Sequence, residues 1–285
     1  MRNTAPNHLP ARHAAVRLFV AALLAGVALT PPLPALAASS AGASAEANQT
    51  RVLPWTGGDQ LSVALHAEVD YVPGADNKVV ITGPADLIGD IVVDHGVIRH
   101  EDRASWHWFG SWGSWDRDGG PIRIVVRAPH LSAAHISGSG HLNLGRLTQD
   151  RLDLSVSGSG GASASGAIRS LSLAVSGSGG AKLDALTTAD LDASLSGSGW
   201  ITGSGTADSL RLHISGSGRA DMAGLALQDA VAGLSGSGSA SMAPKRSADL
   251  GVSGSGNIRL VTNPTHLSAH HSGSGRIIRP DGSNA

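Results

Sequence analysis

The stretch Leu191-Asp192-Ala193-Ser194-Leu195-Ser196-Gly197-Ser198-Gly199 decides how the rest of the chain is read. Its apolar residues stand at every second position and stop at Ser-Gly-Ser-Gly. That tetrapeptide occurs eight times, beginning at Ser137, Ser157, Ser176, Ser196, Ser215, Ser235, Ser253 and Ser272. The steps between copies are 20, 19, 20, 19, 20, 18 and 19 residues. A flexible Gly/Ser linker has no reason to keep such a period, whereas a stacked repeat must.

The residues around each copy repeat as well. Ile136, Val156, Val175, Leu195, Ile214, Leu234 and Val252 immediately precede the tetrapeptide, and only the last copy departs, with His271. Two residues earlier stand Leu154, Leu173, Ala193, Leu212, Ala232, Leu250 and Ala269. After the tetrapeptide the alternation resumes with Leu142, Ala162, Ala181, Ile201, Ala220, Ala240, Ile258 and Ile277. A period of two marks strands with one buried face and excludes helices.

Each unit therefore reads strand, Ser-Gly-Ser-Gly corner, strand, connection. About 19 residues is too few for a propeller blade, which needs roughly 40. It fits one coil of a parallel β-helix, in which coils stack about 4.8 Å apart and inward aliphatics form ladders. Glycine in each corner allows a turn where a Cβ would clash or where φ must be positive. The serines are expected to stack on their equivalents and to hydrogen-bond along the ladder. The fold class expected is all-β: a single right-handed parallel β-helix with an irregular N-terminal β cap.

Working outward, Leu61–Val69, Asn77–Thr82, Asp90–Val93 and Val97–His100 read as less regular strands ahead of the first repeat. An open solenoid end exposes core and unpaired backbone, so a cap is required there. Residues 51–130 are expected to be starting coils plus cap, and 131–280 the regular coils. Ile122-Arg123-Ile124-Val125-Val126-Arg127 leads into them, and Pro129 ends that strand. At the other end Arg279 takes an inward position and Pro280 stops pairing, leaving a polar tail, 281–285.

Residues 1–37 have the form of a secretion signal: Arg2, Arg12 and Arg17, an apolar core from Leu18 to Leu29, and the small-x-small site Ala35-Leu36-Ala37. The apolar run is shorter than the roughly 20 residues that span a bilayer. No transmembrane span is expected after cleavage. Residues 38–50, rich in Ala and Ser, are expected to be a disordered leader. There is no Cys, hence no disulfide and no Cys-linked lipid. Removing the three arginines takes the net charge from −1 to −4, which argues against nucleic acid as a partner. The localisation expected is exported: periplasm, cell surface or secreted.

One stretch stands apart: Trp106-His107-Trp108-Phe109-Gly110-Ser111-Trp112-Gly113-Ser114-Trp115. Four of the chain's six Trp lie here, and the protein has only two Phe and one Tyr. The plain reading is a hydrophobic flap folded over the solenoid. The functional reading is a contact site in which Trp106, Trp108, Trp112 and Trp115 meet a glycan or an envelope protein. A membrane interface is the third.

Taken together, the Val/Ile/Leu-Ser-Gly-Ser-Gly units, the leading stretch from Val79-Val80-Ile81 to Val97-Ile98, and the strand Ile122–Val126 followed by Pro129 and Ile136-Ser137-Gly138-Ser139-Gly140 resemble one bacterial family, named "putative auto-transporter adhesin, head GIN domain". The resemblance covers about residues 52–279. It implies a secreted or envelope protein with a right-handed parallel β-helix, and it carries no functional residues to transfer.

Chemistry finds little purchase. Eight equivalent serine corners argue structure, since a nucleophile needs one His and one acid beside one Ser. Asp190 and Asp192 share an outward strand face, the nearest approach to the carboxylate pair of a polysaccharide-acting enzyme. His266, His270 and His271 are the nearest approach to a metal cluster, but neighbours on a strand point to opposite faces. The expectation is a non-enzymatic binding or adhesin-like module without catalytic residues, metal or cofactor. The alternative is a structural protein that self-associates through an end or a flat face.

Overall fold

The computed structural model describes residues 48–101 and 122–285, so the signal-like segment 1–37 lies outside the described residues. What is described is a parallel β-solenoid of about 7 turns, roughly 20 residues per turn. Six strands each run around nearly a whole coil: β9 (His141–Gly158), β10 (Gly161–Gly177), β11 (Gly180–Gly197), β12 (Trp200–Gly216), β13 (Arg219–Gly236) and β14 (Ser239–Gly254). They come ninth to fourteenth in the chain, after β1 (Gln49–Pro54), β2 (Gln60–Val63), β3 (Glu68–Pro73), β4 (Lys78–Gly83), β5 (Ile91–Asp94), β6 (Val97–His100), β7 (Arg123–Ala128) and β8 (Ala133–Gly138). The series closes with β15 (Asn257–Leu260), β16 (His266–Gly273) and β17 (Arg276–Ile278).

Each coil pairs in parallel with the next, and corners lie on corners. Ser176 opposes Ser196 and Gly177 opposes Gly197. The inward ladders are filled as the alternation predicts: Ile136, Val156, Val175, Leu195, Ile214, Leu234 and Val252 are all at most 3% exposed. Burying such side chains contributes about 1.5–3 kcal/mol each for Val, Leu or Ile. Without a disulfide, this continuous core is the main source of stability.

The two corner glycines serve different needs. Gly197 has φ +109°, and a Cβ there would stand 2.5 Å from the Gly177 carbonyl oxygen. Gly199 has no left-handed φ, but its Cβ would meet the Gly179 oxygen at 2.3 Å. Coils thus approach at the corner more closely than any side chain allows, and main-chain bonds fill the gap. The Gly216 carbonyl, for example, accepts from Ser237 N and Gly238 N at 2.9 and 3.0 Å. The corner serines do stack on their equivalents, as Ser176 on Ser196 and Ser196 on Ser215, but the hydrogen bonds expected along that ladder are corrected here. Among the described residues no corner serine hydroxyl bonds to its equivalent, because amides and carbonyls already make the inter-coil bonds and the hydroxyls face outward.

The alternating steps of 20 and 19 have a structural cause. The longer coils carry one extra residue at the bend after the first inward pair. Between the pairs Leu144–Ala164 and Leu147–Gly166, one coil has Gly145-Arg146 and the next only Ser165. Arg146 takes φ +58°, and its amide donates to Ser165 Oγ at 3.1 Å. Two coils on, Ala185 (φ +47°) donates to Ser204 Oγ at 3.1 Å. The bulge turns Leu147 and Leu186 inward, and the following shorter coils answer with Gly166 and Gly205, where a Cβ would lie 2.1 Å from the leucine carbonyl. The long coils also clip their next bend. Gln149 Nε2 donates to Leu131 O and Arg151 O at 2.9 and 2.7 Å. Thr188 Oγ1, two coils on from Gln149, stands 3.1 Å from both Arg169 O and Asp190 O. From β9 to β12 the structural repeat is therefore a pair of coils, whereas β13 turns the same bend with Gly224 and has no left-handed residue there.

The N-terminal part departs from simple winding. β2 lies between β6 and β8, and β3 between β7 and β9, all parallel. The chain lays down one coil (β2–β3), builds the coil beneath it (β6–β7), and then resumes above with β8. β4 pairs antiparallel to both β1 and β7, β5 forms a hairpin with β6, and a single-turn helix, α1 (Ala85–Ile88), joins β4 to β5. Arg51 on β1 ties this cap together, its Nη1 lying 2.9–3.1 Å from the carbonyls of Ile88, Gly89 and Ile91. At the far end Ala285 N donates to Ile277 O, and Ile278 bridges Asn284. Those contacts fold the tail back on β17.

Candidate functional site

Trp106, Trp108, Trp112 and Trp115 lie outside the described residues, but their anchors are clear. Val63 opposes Ile98, and Glu68 opposes Arg123. In the β2–β3 coil these strands are joined by Ala64-Leu65-His66-Ala67, whereas one coil below β6 (Val97–His100) and β7 (Arg123–Ala128) are joined by the sequence that holds the four Trp.

The carboxylates do not gather into a reactive pair. Asp190 sits in an outward ladder with Ser170, Ser209, Asp229, Ser247 and His266. Each Asp there is bound by the serine of the following coil: Ser209 Oγ donates to Asp190 at 2.7 Å, and Ser247 Oγ to Asp229 at 2.6 Å. Hydrogen bonds from Arg246, then from Ser247, pull the Asp229 carboxyl down to about 2. Asp192 is exposed on the same strand face as Asp190, opposite Arg211 of the next coil. His266, His270 and His271 are all exposed on β16. His270 Nε2 lies 3.2 Å from Ser268 Oγ, and His271 continues an inward ladder at a coil beyond which nothing is stacked among the described residues.

The face that follows the corner holds the most distinctive arrangement. Its first outward row runs His141, Gly161, Gly180, Trp200, Arg219, Ser239 on successive coils. Trp200 is 43% exposed. Its ring does not project from the sheet. A Cβ on Gly180 would stand 2.2, 2.5 and 2.5 Å from Cε2, Cδ2 and Nε1. Near-equal distances to atoms on both sides of Cε2 place that point over the five-membered ring, so the indole lies face down on Gly180. His141 leans the opposite way over Gly161, where a Cβ would meet Nε2 and Cδ2 at 2.9 and 3.0 Å. Beside Trp200 is an open, shallow recess of about 550 Å³ lined by Ser198, Thr202, Ser217, Arg219 and Asp221. Asp221 is held there by Ser241 Oγ at 2.6 Å and the Ala223 amide at 3.1 Å.

Sequence reasoning passed over Trp200. The signal was present: a lone Trp directly after a Ser-Gly-Ser-Gly corner, with glycine at the equivalent position of the two preceding coils. By contrast Trp55, the remaining Trp, is buried and donates its Nε1 hydrogen to Gly58 O at 3.0 Å, a packing role.

Comparison with known proteins agrees with this architecture. The model of the family named "Putative auto-transporter adhesin, head GIN domain" matches residues 59–264. No curated protein matches the chain. Among solved structures, one from Parabacteroides distasonis named a putative lipid binding protein is similar at TM-score 0.72 and 22% identity, covering 81% of this chain and 96% of that one. A putative adhesin from the same species is similar at TM-score 0.71 and 20% identity, covering 82% and 98%. A putative adhesin from Parabacteroides merdae is similar at TM-score 0.68 and 19% identity, covering 81% and 95%. At these identities the likeness is one of fold. Among the described residues no helix is long and apolar enough to cross a membrane. The chain belongs to the head GIN domain family.

Proposed function

We propose that this head GIN domain protein is an exported, non-enzymatic binding module of the cell envelope, adhesin-like in action, with the Trp-rich stretch as a contact for a glycan or an envelope protein. One observation carries the reading. The connection from β6 to β7 holds Trp106, Trp108, Trp112 and Trp115, where the neighbouring β2 and β3 are joined by four residues. A scaffold of regular coils with one long, aromatic-rich insertion is the arrangement of a rigid body presenting a contact surface. The signal-like segment 1–37 supports export. The carboxylate ladder, each Asp tied to a serine of the next coil, supports a structural role for Asp190 rather than a catalytic one.

Replacing all four Trp by Ala should weaken attachment to an envelope or glycan surface while leaving the strand signal in circular dichroism unchanged. Attachment equal to wild type would remove the stretch as the contact.

A second reading has its own observation. β16 pairs only with β14 among the described residues, and its ladder residues Leu267 and Ala269 are only partly buried. Such an edge is a template for a further strand. Self-association through it predicts concentration-dependent oligomers in sedimentation, and a monomer at every concentration would dismiss it.

A further inference from the structure

We infer that Trp200, seated on Gly180 and bordered by Arg219 and Asp221, is a stacking site for a saccharide ring, separate from the Trp-rich stretch. It deepens the binding-module reading by naming a ligand class at a second place, and it rests on that reading.

The seat is the first argument. Gly161 and Gly180 are not among the glycines with left-handed φ, so the backbone does not call for glycine at either position. What their missing Cβ atoms permit is room for the rings of His141 and Trp200. The result is an indole held flat, one face against main chain and the other toward solvent, where an upright Trp would be mobile. A fixed indole has little conformational freedom to lose on binding.

The surroundings choose the ligand. A pyranose ring has an apolar C–H face and a rim of hydroxyls. The first matches the open face of the indole. The second matches a recess whose border carries hydroxyls from Ser198, Thr202 and Ser217 and two opposite charges. Asp221 is fixed by two hydrogen bonds, and Arg219 makes no ion pair among the described residues. An acyl chain is a poor match for a recess this open and this polar, because apolar ligands take enclosed apolar linings.

The test is titration calorimetry on the signal-free protein, with cellotetraose, chitotetraose and maltotetraose as probes. Wild type should bind at least one of them. W200A should weaken that binding at least about tenfold, or about 1.4 kcal/mol. G180A should do nearly the same with Trp200 still present, because the new Cβ unseats the ring. The four-Trp variant is run alongside, and W200A should cost the same fold in that background as in wild type. Failure of all three sugars to bind wild type, or unchanged binding by W200A, overturns the site. Loss in the four-Trp variant alone overturns it too while leaving the binding-module reading standing. Should G180A misfold, R219A replaces it, with several-fold weaker binding expected and unchanged binding counting against the recess.

Discussion

Gly197 and Ser196 are neighbours in the same corner, yet they should respond very differently to substitution. Gly197→Ala asks an L-residue to adopt φ +109° with its Cβ 2.5 Å from a carbonyl oxygen. Since that oxygen belongs to the stacked coil, relief would require parting two coils. The expected loss is roughly 2–4 kcal/mol. Ser196→Ala removes an exposed hydroxyl and should stay within about 0.5 kcal/mol. Urea midpoints of the two variants decide this, and equal midpoints would refute the close-approach argument. Tyr71 gives a second residue-scale prediction. Its phenol is buried, donates to Ala128 O at 2.8 Å, and is pushed up to about 12 from 10.0 by burial. A raised value means the neutral form is favoured in the folded state. Its contribution is whole below pH 10 and is lost as pH rises through about 12. Tyr71→Phe should cost about 1 kcal/mol near neutrality. That variant should also show a shallower loss of stability between pH 10 and 12 than wild type, read from midpoints across that range. At this scale the inward residues were legible, because burial on a strand follows a period of two. Trp200 was not, because its meaning depends on glycines one and two coils away in space.

At the scale of elements, the strands and corners were legible while their pairing into two-coil units was only half so. The steps of 20 and 19 were visible as numbers. Their cause, a bulge with Arg146 or Ala185 in left-handed conformation bonded to a serine of the shorter coil, is a contact between coils that spacing alone does not reveal. The unit has a consequence. Excising 176–214, one long and one short coil, joins coils of the right kind. Excising 157–175 alone stacks two long coils and sets Leu147 against Leu186 without the intervening Gly166. The paired deletion should keep a cooperative unfolding transition with a modestly lower midpoint, and the single deletion should fall markedly below it. Equal midpoints would deny the two-coil unit. The cap was legible as a cap, since a solenoid end must be covered, but its winding was not. Nothing in the local pattern of β2, β6 and β8 announces that β2 will lie between the other two.

For the whole molecule, the architecture sets the terms of function. Successive Ser-Gly-Ser-Gly corners are joined by main-chain bonds, and coils so joined hold their outward side chains at a fixed spacing. Two features break the repeat: the long Trp-rich connection between β6 and β7, and the Trp200 seat just past the corner of a later coil. Among the described residues, Asp190 and Asp229 are each bound by a serine of the following coil, and His266, His270 and His271 lie exposed on β16. The fold followed from an uninterrupted periodicity. The proposed contact sites were harder to read because they lie at breaks of that periodicity, and a break carries no pattern of its own. The most direct test is binding of the signal-free protein to an array of glycans and envelope components, with wild type, the four-Trp variant and W200A side by side. Selective retention of wild type, weakened by one or both variants, is the predicted result. Wild type retained nowhere on the array, or all three proteins retained alike, would contradict the binding-module account.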